Sequence, residues 1–299
     1  MADPQAPSTL DADRVAELRA WEGRSETSVD LITAAPLRGL SATLDRADAE
    51  PATGAEVPPL WHWLYFLPRA PQHELGEDGH PRLGSFMPPV PLPRRMWAGG
   101  RLQWHAPLKV GDAAQRVSTI QSVQHKSGRT GDLVFVVVRH EISNAAGLAL
   151  TEEHDIVYRA ARGPDDTEPP GQAAPNDGVW SRAIVADPVM LFRYSALTFN
   201  GHRIHYDRTY ATNVEGYSGL VVHGPLIATL LVDLVRRERP QAVISSFSFK
   251  AMRPTFDQYP FRVCGRPSAD GQAIDLWAQD YNGWQTMHAR AVCTPIGRD

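Results

Sequence analysis

The chain has 299 residues, of which 42% are hydrophobic and 21% are charged, so its composition is that of a globular protein and not of a disordered one. The formal net charge of −4 argues against a nucleic-acid binder that works by neutralising phosphates. No apolar run reaches the length of about 18 residues that a membrane-spanning helix needs. We therefore expect neither a nucleic-acid nor a membrane partner.

Cysteine usage and the N-terminal sequence bear on the cellular compartment. The two cysteines, Cys264 and Cys293, fit neither a disulfide framework nor a zinc-binding spacing. Residues 1–10 lack the basic and apolar regions of a secretory signal. We therefore expect a cytoplasmic protein with reduced thiols.

Helix and loop signals come first along the chain. The opening 20 residues predict a loose tail that leads into a short helix. Residues 57–68 form an apolar block with prolines at both ends, which predicts one short buried helix. Residues 69–100 are rich in proline and glycine, which favours an ordered loop.

Strand signals follow from Arg101 onward. Residues 133–138 form an unbroken run of apolar side chains rich in valine, and a second strand is expected over residues 148–158. Residues 144–147 supply the turn between them. Residues 162–177 are polar and proline-rich without an apolar period, which predicts a linker.

The second half of the chain repeats this order. A helix should begin near Pro225, where an apolar stripe with helical spacing starts, and should end before Pro240. The Asn282–Gly283 pair marks a hairpin between two further strands. We expect an α+β protein of two similar units, each with an apolar helix followed by antiparallel strands; those of the second unit are predicted over residues 243–251, 261–265, 274–280 and 284–292.

Two histidines with suitable chemistry lie between the linker and this helix. His202 and His205 belong to the segment 192–207, and histidine is the side chain most easily used as a general acid or base near neutral pH. In a solvated surface loop the same pair would have no role. With His223 the pair could also provide three zinc ligands, although no carboxylate or cysteine completes a usual zinc spacing.

The start of the predicted helix is a second candidate. Gly224 stands at its N-terminus, where free N–H groups and a partial positive charge can stabilise a carbonyl oxygen as it becomes an enolate. The alternative is that this glycine only lets the chain turn tightly into the helix.

Several groups of residues, taken together, resemble one known family. Residues 200–205 are followed by 221–224 and then by 248–250, and residues 92–102 precede the first strands. This set resembles the hydratase motif of the MaoC-like (R-hydratase) hot-dog superfamily. The resemblance is to its two-hot-dog branch of hydroxyacyl-thioester dehydratases and mesaconyl-C4-CoA (3-methylfumaryl-CoA) hydratases, and it extends over most of the chain.

The resemblance implies a double hot-dog fold, in which two antiparallel sheets each wrap a central helix and join as a pseudo-dimer. The expected division is an N-terminal hot-dog over 1–161 that shapes the substrate tunnel, a linker over 162–184 and a catalytic hot-dog over 185–299. The implied reaction is reversible hydration of an α,β-unsaturated acyl-CoA, with no cofactor and no metal. A homodimer of the whole chain is a further expectation.

The resemblance also implies catalytic roles. His205 matches the histidine of the family motif Asp-x-Asn-Pro-x-His and would transfer the proton between water and the α-carbon. Asn200, His202 and Arg203 stand where the family has aspartate, asparagine and proline. An amide cannot accept a proton at neutral pH, so Asn200 would instead hold the water, and the N–H of Gly224 would bind the thioester oxygen.

Substrate recognition is expected to involve arginines. A branched dicarboxylic acyl group such as mesaconyl or itaconyl carries a free carboxylate, which an arginine pairs with bidentately. Candidates for that carboxylate are Arg203, Arg94 and Arg95, while Arg94, Arg95 and Arg253 are also candidates for the CoA phosphates. The remaining expected substrate-binding residues are His202, His223, Trp97 and Lys250.

Three other functions fit the same residues. One is a 3-hydroxyacyl-thioester dehydratase that acts on fatty acyl chains. Another is a hot-dog thioesterase, for which Asp207 is the nearest acid but would point away from His205 on an extended chain. The last is a non-catalytic acyl-CoA-binding protein, which the missing aspartate of the motif would explain.

Overall fold

The computed structural model describes residues 10–128, 131–161 and 170–294 of the chain. Its strands form one antiparallel ten-stranded sheet. The first five are β1 (Ser25–Leu31), β2 (Arg94–Trp104), β3 (Ala113–Gly128), β4 (Gly131–Asn144) and β5 (Gly147–Arg159). The other five are β6 (Trp180–Ile184), β7 (Ile244–Ala251), β8 (Phe261–Pro267), β9 (Ala273–Gln279) and β10 (Gln285–Cys293).

The strand order shows an internal duplication. The first five strands lie in the order β1-β3-β4-β5-β2, and the last five repeat that order as β6-β8-β9-β10-β7. Strands β2 and β7 pair with each other, with Gly100 opposite Phe249, so the two units share one continuous sheet. This arrangement confirms the α+β double hot-dog expected from the sequence.

The helices lie in both units. They are α1 (Ala12–Arg19), α2 (Ala34–Thr43), α3 (Pro188–Thr198), α4 (Arg208–Asn213) and α5 (Gly224–Glu238), together with 3-10 turns at Trp61–Leu64, Gln72–Glu74 and Arg203–His205. Among the described residues, no helix combines the length and apolar character needed to cross a bilayer.

Helix α5 fills the second unit. Its predicted start and end are confirmed, with Pro225 in the first turn and two arginines in the last. Ten consecutive residues of α5, from Leu226 to Val235, are buried, so the helix is covered on all sides. Its one buried acid, Asp233, contacts Arg46, Arg182 and Arg237, and these partners offset the cost of burying a carboxylate.

The first unit departs from the prediction. The apolar block at 57–68 contains only the four-residue 3-10 turn, because Leu60 and Phe66 on either side of it have positive φ angles that end any helix there. The longer α-helix of this unit is α2, which the sequence pattern missed because Pro36 and Gly39 interrupt it. Strand β1 was missed because its side chains are mostly polar and exposed.

The order of elements within each unit also differs from the prediction, since a strand precedes α2 in the first unit (β1) and α3 to α5 in the second (β6). The predicted loop at 69–100 ends at Arg94, where β2 begins. The strands β4, β5 and β7–β10 lie close to the predicted ranges, and the turn at Gly283 has the positive φ expected of a hairpin. Part of the predicted linker, residues 162–169, lies outside the described residues. Its continuation packs on the last hairpin, where Gln285 N–H donates to the Gln172 carbonyl.

Candidate active site

The motif segment is held between helix α3 and the strand-like residues before α5. Phe199 ends α3 with a left-handed backbone, and the Asn200 N–H closes the turn on the Ser195 carbonyl. The Asn200 side-chain oxygen accepts the His202 N–H at 3.0 Å. The amide NH2 group of Asn200 therefore remains as the donor of that side chain, and Asn200 lines the main cavity of the protein.

His205 is buried with a defined tautomer. Its Nδ1 lies 2.7 Å from the Val221 carbonyl, which can only accept, so Nδ1 carries the hydrogen. The other ring nitrogen, Nε2, is then unprotonated and able to accept a proton. Burial lowers the pKa of His205 to about 4, while the bond to Val221 opposes the shift and nearby His80 adds to it. His205 is therefore a neutral base at pH 7.

Four histidine rings form a continuous row in this region. Ring centroids are 4.1 Å apart for His80 and His202, 5.3 Å for His202 and His205, and 3.7 Å for His205 and His223. The row ends where His223 Nε2 lies 2.8 Å from the Ser195 hydroxyl. Burial lowers the pKa of His202, His223 and His80 as well, so the whole row is uncharged at neutral pH. The solvated-loop alternative is wrong for His202 and His205, since both are buried.

The histidines are not arranged as the considered zinc site. His205 and His223 stack face to face, and Nδ1 of His205 is already bonded to Val221. Among the described residues, the atoms that do converge belong to Asp78, His80 and His202, within 4.8 Å of one another. His80 Nδ1 in this group is bonded to Asp78 at 2.9 Å, so these two side chains already satisfy each other.

Asp78 and His80 were not predicted from the sequence. They belong to a loop of the first unit that docks on the motif: the Arg203 N–H donates to the Asp78 carbonyl at 2.9 Å. Gly79 crosses Gly201 so closely that a Cβ at Gly79 would lie 1.9 Å from the Gly201 oxygen. The sequence shows only an acid two residues before a histidine in a loop that contains glycine. This pattern does not reveal a contact with residues more than 120 positions later.

The Asp78–His80 pair is an oriented acid–base group. Burial alone would raise the pKa of Asp78, but the hydrogen bonds and charge of His80, together with the charge of Arg95, outweigh burial and lower it. Burial lowers the pKa of His80, and the same hydrogen bond opposes that shift. The carboxylate therefore fixes the orientation of a mostly neutral imidazole, which lines the same cavity as Asn200.

Gly224 begins α5 beside this row. His223 is the N-cap, and the N–H groups of the first turn have no partner within the helix. The backbone of Gly224 does not have a positive φ, and a Cβ there would meet only the Trp97 carbonyl at an ordinary 3.9 Å. The turn into the helix therefore does not itself require glycine, which removes the purely structural explanation of this residue.

The main cavity has a volume of about 780 Å³ and joins the two units. On the second-unit side it is lined by Asn200, Ser195 and Pro225. At its opening lie three exposed aromatic rings, those of Phe192, Phe199 and Tyr206. On the first-unit side the wall is formed by Trp97 and by polar side chains of the sheet, namely Arg116, His140, Glu152 and His154, with His62 and Trp63 beside them.

The predicted arginines are distributed over several places. Arg203 lines the main cavity, but its guanidinium pairs with Asp207 at 2.7 Å and donates to the Glu77 carbonyl. Arg94 and Arg95 line a second cavity of about 1140 Å³. This second cavity adjoins the first through residues common to both, His80 among them. Arg94 is buried there against Glu215 and the Tyr217 hydroxyl.

Lys250 and Arg253 are not brought to the main cavity. Along β7 the side chains alternate, so Phe249 packs into the core and Lys250 is exposed on the outer face. Arg253 lies after β7 against Gly171, close to Trp284. Neither residue is among those that line the two cavities, and the same is true of His205 and Gly224, so the predictions for Lys250 and Arg253 stay untested.

The sheet order defines a double hot-dog fold, and comparison with solved structures agrees. A MaoC-like dehydratase superposes with a TM-score of 0.68 over 91% of this chain and 98% of the other, at 14% identity. A Mycobacterium tuberculosis protein described as having a double hot-dog fold superposes with a TM-score of 0.58 over 91% and 96%, also at 14% identity.

The family is more specific than the fold. Residues 60–257 match the family model for hydroxyacyl-thioester dehydratase type 2, so the chain belongs to that family. The chain is 47% identical to the mesaconyl-C(4)-CoA hydratase of Chloroflexus aurantiacus, over 92% of this chain and 97% of the relative. It is 29% identical to the mitochondrial hydroxyacyl-thioester dehydratase type 2 of Schizosaccharomyces pombe, over 79% and 88%.

Proposed function

We propose that the protein is a hydro-lyase that adds water reversibly to the double bond of an α,β-unsaturated acyl-CoA, with a branched dicarboxylic acyl group such as mesaconyl-C4 as substrate. The observation that carries the proposal is His205, whose Nδ1–H is given to Val221 and whose Nε2 is left as a neutral base. The similarity to a mesaconyl-C(4)-CoA hydratase over nearly the whole chain supports the acyl group.

In the proposed mechanism, His205 Nε2 accepts a proton from a water molecule as the water oxygen bonds to the β-carbon. The electrons of the double bond move onto the thioester oxygen, which accepts the N–H of Gly224 at the positive end of α5. His205 then returns the proton to the α-carbon, and the enolate collapses to the 3-hydroxyacyl product. No proton or electron is gained or lost over the cycle.

The water is held by groups other than a carboxylate of the motif. Asn200 donates its amide N–H to the water oxygen, since its side-chain oxygen is occupied by His202. His80, oriented by Asp78, provides a second hydrogen-bond partner from the first unit. We therefore assign to the loop 76–80 a part in the chemistry, beyond the substrate-tunnel role first expected of residues 1–161.

The two cavities suggest how the rest of the thioester is held. The acyl group occupies the main cavity, with Trp97 against it, while the CoA phosphates lie in the adjoining cavity, where Arg95 and Arg82 supply positive charge. Arg94 supports this cavity through its buried pair with Glu215. His202 and His223 hold His205 between them and take no direct part in binding.

Two alternatives receive less support. A thioesterase would need a carboxylate beside the thioester carbon, but Asp207 caps α4 through the Tyr210 N–H and pairs with Arg203. A dehydratase of long fatty acyl chains would have to place its aliphatic chain beside Arg116, Glu152 and the histidines, which form one polar wall of the main cavity.

The proposal also includes a cytoplasmic location and a homodimer. The two cysteines are buried and unpaired, which supports a reducing compartment. Edge strand β1 exposes Val29 and Leu31, apolar side chains that a second copy could cover. Sedimentation of the wild type and of a Val29→Lys, Leu31→Lys double variant tests the dimer.

The direct test is incubation of the protein with crotonyl-CoA, mesaconyl-C4-CoA and itaconyl-CoA, followed by mass spectrometry of the thioesters. We expect a gain of one water that is lost in His205→Gln and kept in His288→Gln, a matched control on the exposed face of β10. Release of free CoA would instead establish a thioesterase, and unchanged thioester bound to the protein would establish a non-catalytic binder.

A further inference from the structure

The ten-stranded sheet has two halves, one from each unit, and the inner faces of these halves differ sharply in polarity. In the second unit, the side chains that face helix α5 are apolar, and they include Phe247, Phe261, Val263, Ile274, Leu276 and Ala289. In the first unit, three strands in the same topological positions bring Arg116, His140 and Glu152 to the inner face, where they line the main cavity. Since the two units share one topology, this polarity is a property of the first unit and not of the fold.

Glu152 is the centre of this polar wall. It is buried, and its carboxylate lies 2.9 Å from His62 Nε2, 2.8 Å from Trp63 Nε1 and 2.7 Å from His154 Nε2. Burial alone would raise the pKa of Glu152, but His154 and His62 hold the pKa well below its usual range, so the group is ionised. An ionised carboxylate in an acyl cavity destabilises an aliphatic chain placed against it, which argues for a polar occupant.

The wall extends beyond Glu152 through further polar contacts. His154 Nδ1 lies 3.3 Å from His140 Nε2, and His140 Nδ1 lies 2.9 Å from the Ser118 hydroxyl. In the part of the chain that the structure describes, three polar atoms of the wall are buried without a hydrogen-bond partner: His62 Nδ1, His154 Nε2 and Arg116 Nε. Buried polar groups are nearly always hydrogen-bonded, so these atoms have capacity for a further partner, either water or a polar ligand.

Arg116 brings a positive charge to this wall. Its guanidinium lies over the Phe66 ring at 5.3 Å and feels the charges of Glu152, Glu26 and Asp30. Burial lowers the pKa of Arg116, and the three carboxylates oppose that shift. An arginine stays protonated over the whole physiological range, so Arg116 offers charged donors next to the cavity.

The wall is close to the reacting end of the acyl group. The Trp97 ring packs on His154 with centroids 3.9 Å apart, while the Trp97 carbonyl lies beside Gly224, whose N–H binds the thioester oxygen in the proposed function. One tryptophan therefore spans from the thioester position to the polar wall.

We propose that Arg116, on the wall centred on Glu152, binds the free carboxylate of a short dicarboxylic acyl-CoA. The ligand carboxylate accepts hydrogen bonds from the Arg116 guanidinium, and Glu152 holds His62 and His154 in place around it. This assignment rests on the proposed function for the identity of the thioester end. Arg116 takes the place of Arg203 as the residue that binds the acyl carboxylate, because the Arg203 guanidinium already pairs with Asp207.

Binding of two saturated thioesters tests the site without any turnover. Succinyl-CoA has a terminal carboxylate and butyryl-CoA has a methyl group in the same place. By calorimetry we expect wild type to bind succinyl-CoA more tightly, and Arg116→Gln to weaken succinyl-CoA about 10–100-fold while changing butyryl-CoA less than about twofold, because a charge-assisted hydrogen bond is lost. Arg139→Gln, an exposed arginine on β4, is the matched control and should bind both ligands like wild type.

Turnover separates this inference from the proposed function. Arg116→Gln should raise KM for mesaconyl-C4-CoA and leave kcat/KM for 3-methylcrotonyl-CoA, which has a methyl group in place of the carboxylate, unchanged or higher. If Arg116→Gln lowers kcat/KM equally for both substrates while circular dichroism shows that the variant is folded, the carboxylate site is overturned. Preference of wild type for succinyl-CoA without hydration of any thioester would overturn the proposed function and leave the site standing.

Discussion

His205 and His223 stack with their ring centroids 3.7 Å apart and an angle of 18° between the ring planes. Each ring is anchored at its outer side, His205 by the Val221 carbonyl and His223 by the Ser195 hydroxyl. The stack fixes the base in one rotamer before substrate binds. A rigid base is what proton transfer in a water-excluding site requires.

Replacing His205 should abolish most turnover without unfolding the protein. His205→Gln keeps a hydrogen-bond donor toward Val221 but has no basic nitrogen, so kcat should fall about 10²–10⁴-fold. Initial rates of hydration, followed by loss of enoyl absorbance, give the comparison. A variant that retains more than about a third of wild-type kcat would rule out His205 as the base.

The buried histidines should make stability depend on pH in a defined direction. The pKa of His205 is about 4 in the folded state and near 6.5 when unfolded, so the unfolded chain binds more protons between these values. The contribution of His205 to the free energy of unfolding is complete above about pH 6.5 and decreases as the pH is lowered. From His205 alone, the free energy of unfolding should fall by about 2 kcal/mol between pH 7 and pH 5. Urea unfolding at both pH values should show a smaller decrease for His205→Gln than for wild type.

Gly224→Ala should separate stability from activity. The backbone at Gly224 accommodates a methyl group at an ordinary contact distance, and alanine restricts the unfolded chain, so the variant should gain up to about 1 kcal/mol of stability. The methyl group would crowd the thioester oxygen, and kcat/KM should fall tenfold or more. A stable variant with unchanged kcat/KM would show that the thioester binds elsewhere.

Gly79→Ala should be much more damaging than the same change at a free turn. Gly79 has φ +89°, and its Cβ would overlap the Gly201 carbonyl. Gly216 has φ +70° with open space around it, so Gly216→Ala carries only the backbone strain of about 1 kcal/mol. We expect Gly79→Ala to lose at least about 3 kcal/mol by urea unfolding, or to release the loop and lower kcat. Equal effects for the two variants would contradict the docked loop.

His80 should influence both rate and pH profile. His80→Gln removes the imidazole held by Asp78, so kcat should fall about tenfold or more. Because His80 lowers the pKa of His205, its removal should also move the acid limb of kcat/KM toward higher pH. His73→Gln, on an exposed side chain of the same segment, is the control. If kcat falls but the acid limb of the kcat/KM pH profile does not move, His80 acts through packing alone.

The sequence was informative where chemistry and local pattern coincide. Helix α5 could be predicted because its apolar stripe, Pro225 and the terminal arginines all agree. Asn200 and His205 could be proposed because they lie in one short motif, and Gly224 because it stands at the start of the predicted helix. In contrast, α3 was missed although Asp187 caps it and Pro188 opens it, because its apolar residues show little one-sided periodicity.

What the sequence could not show is long-range contact. The Asp78–His80 loop reaches the motif, and Glu152 reaches His62 and Trp63, across separations of about 90 residues or more. Such pairings depend on the strand order, in which β2 lies beside β5 and β7. The outward direction of Lys250 could not be predicted for a related reason, since the face of a strand to which a residue points depends on register, and a shift of one residue reverses it.

The pairing of β2 with β7 joins two halves of one sheet that can accept substitutions separately during evolution. The proposed base and the helix proposed to bind the thioester oxygen come from one half, whereas the wall around Glu152 comes from strands of the other. Selection can therefore alter acyl preference through Arg116 and its neighbours while leaving proton transfer intact. A duplicated fold can in this way diversify its substrates at constant chemistry.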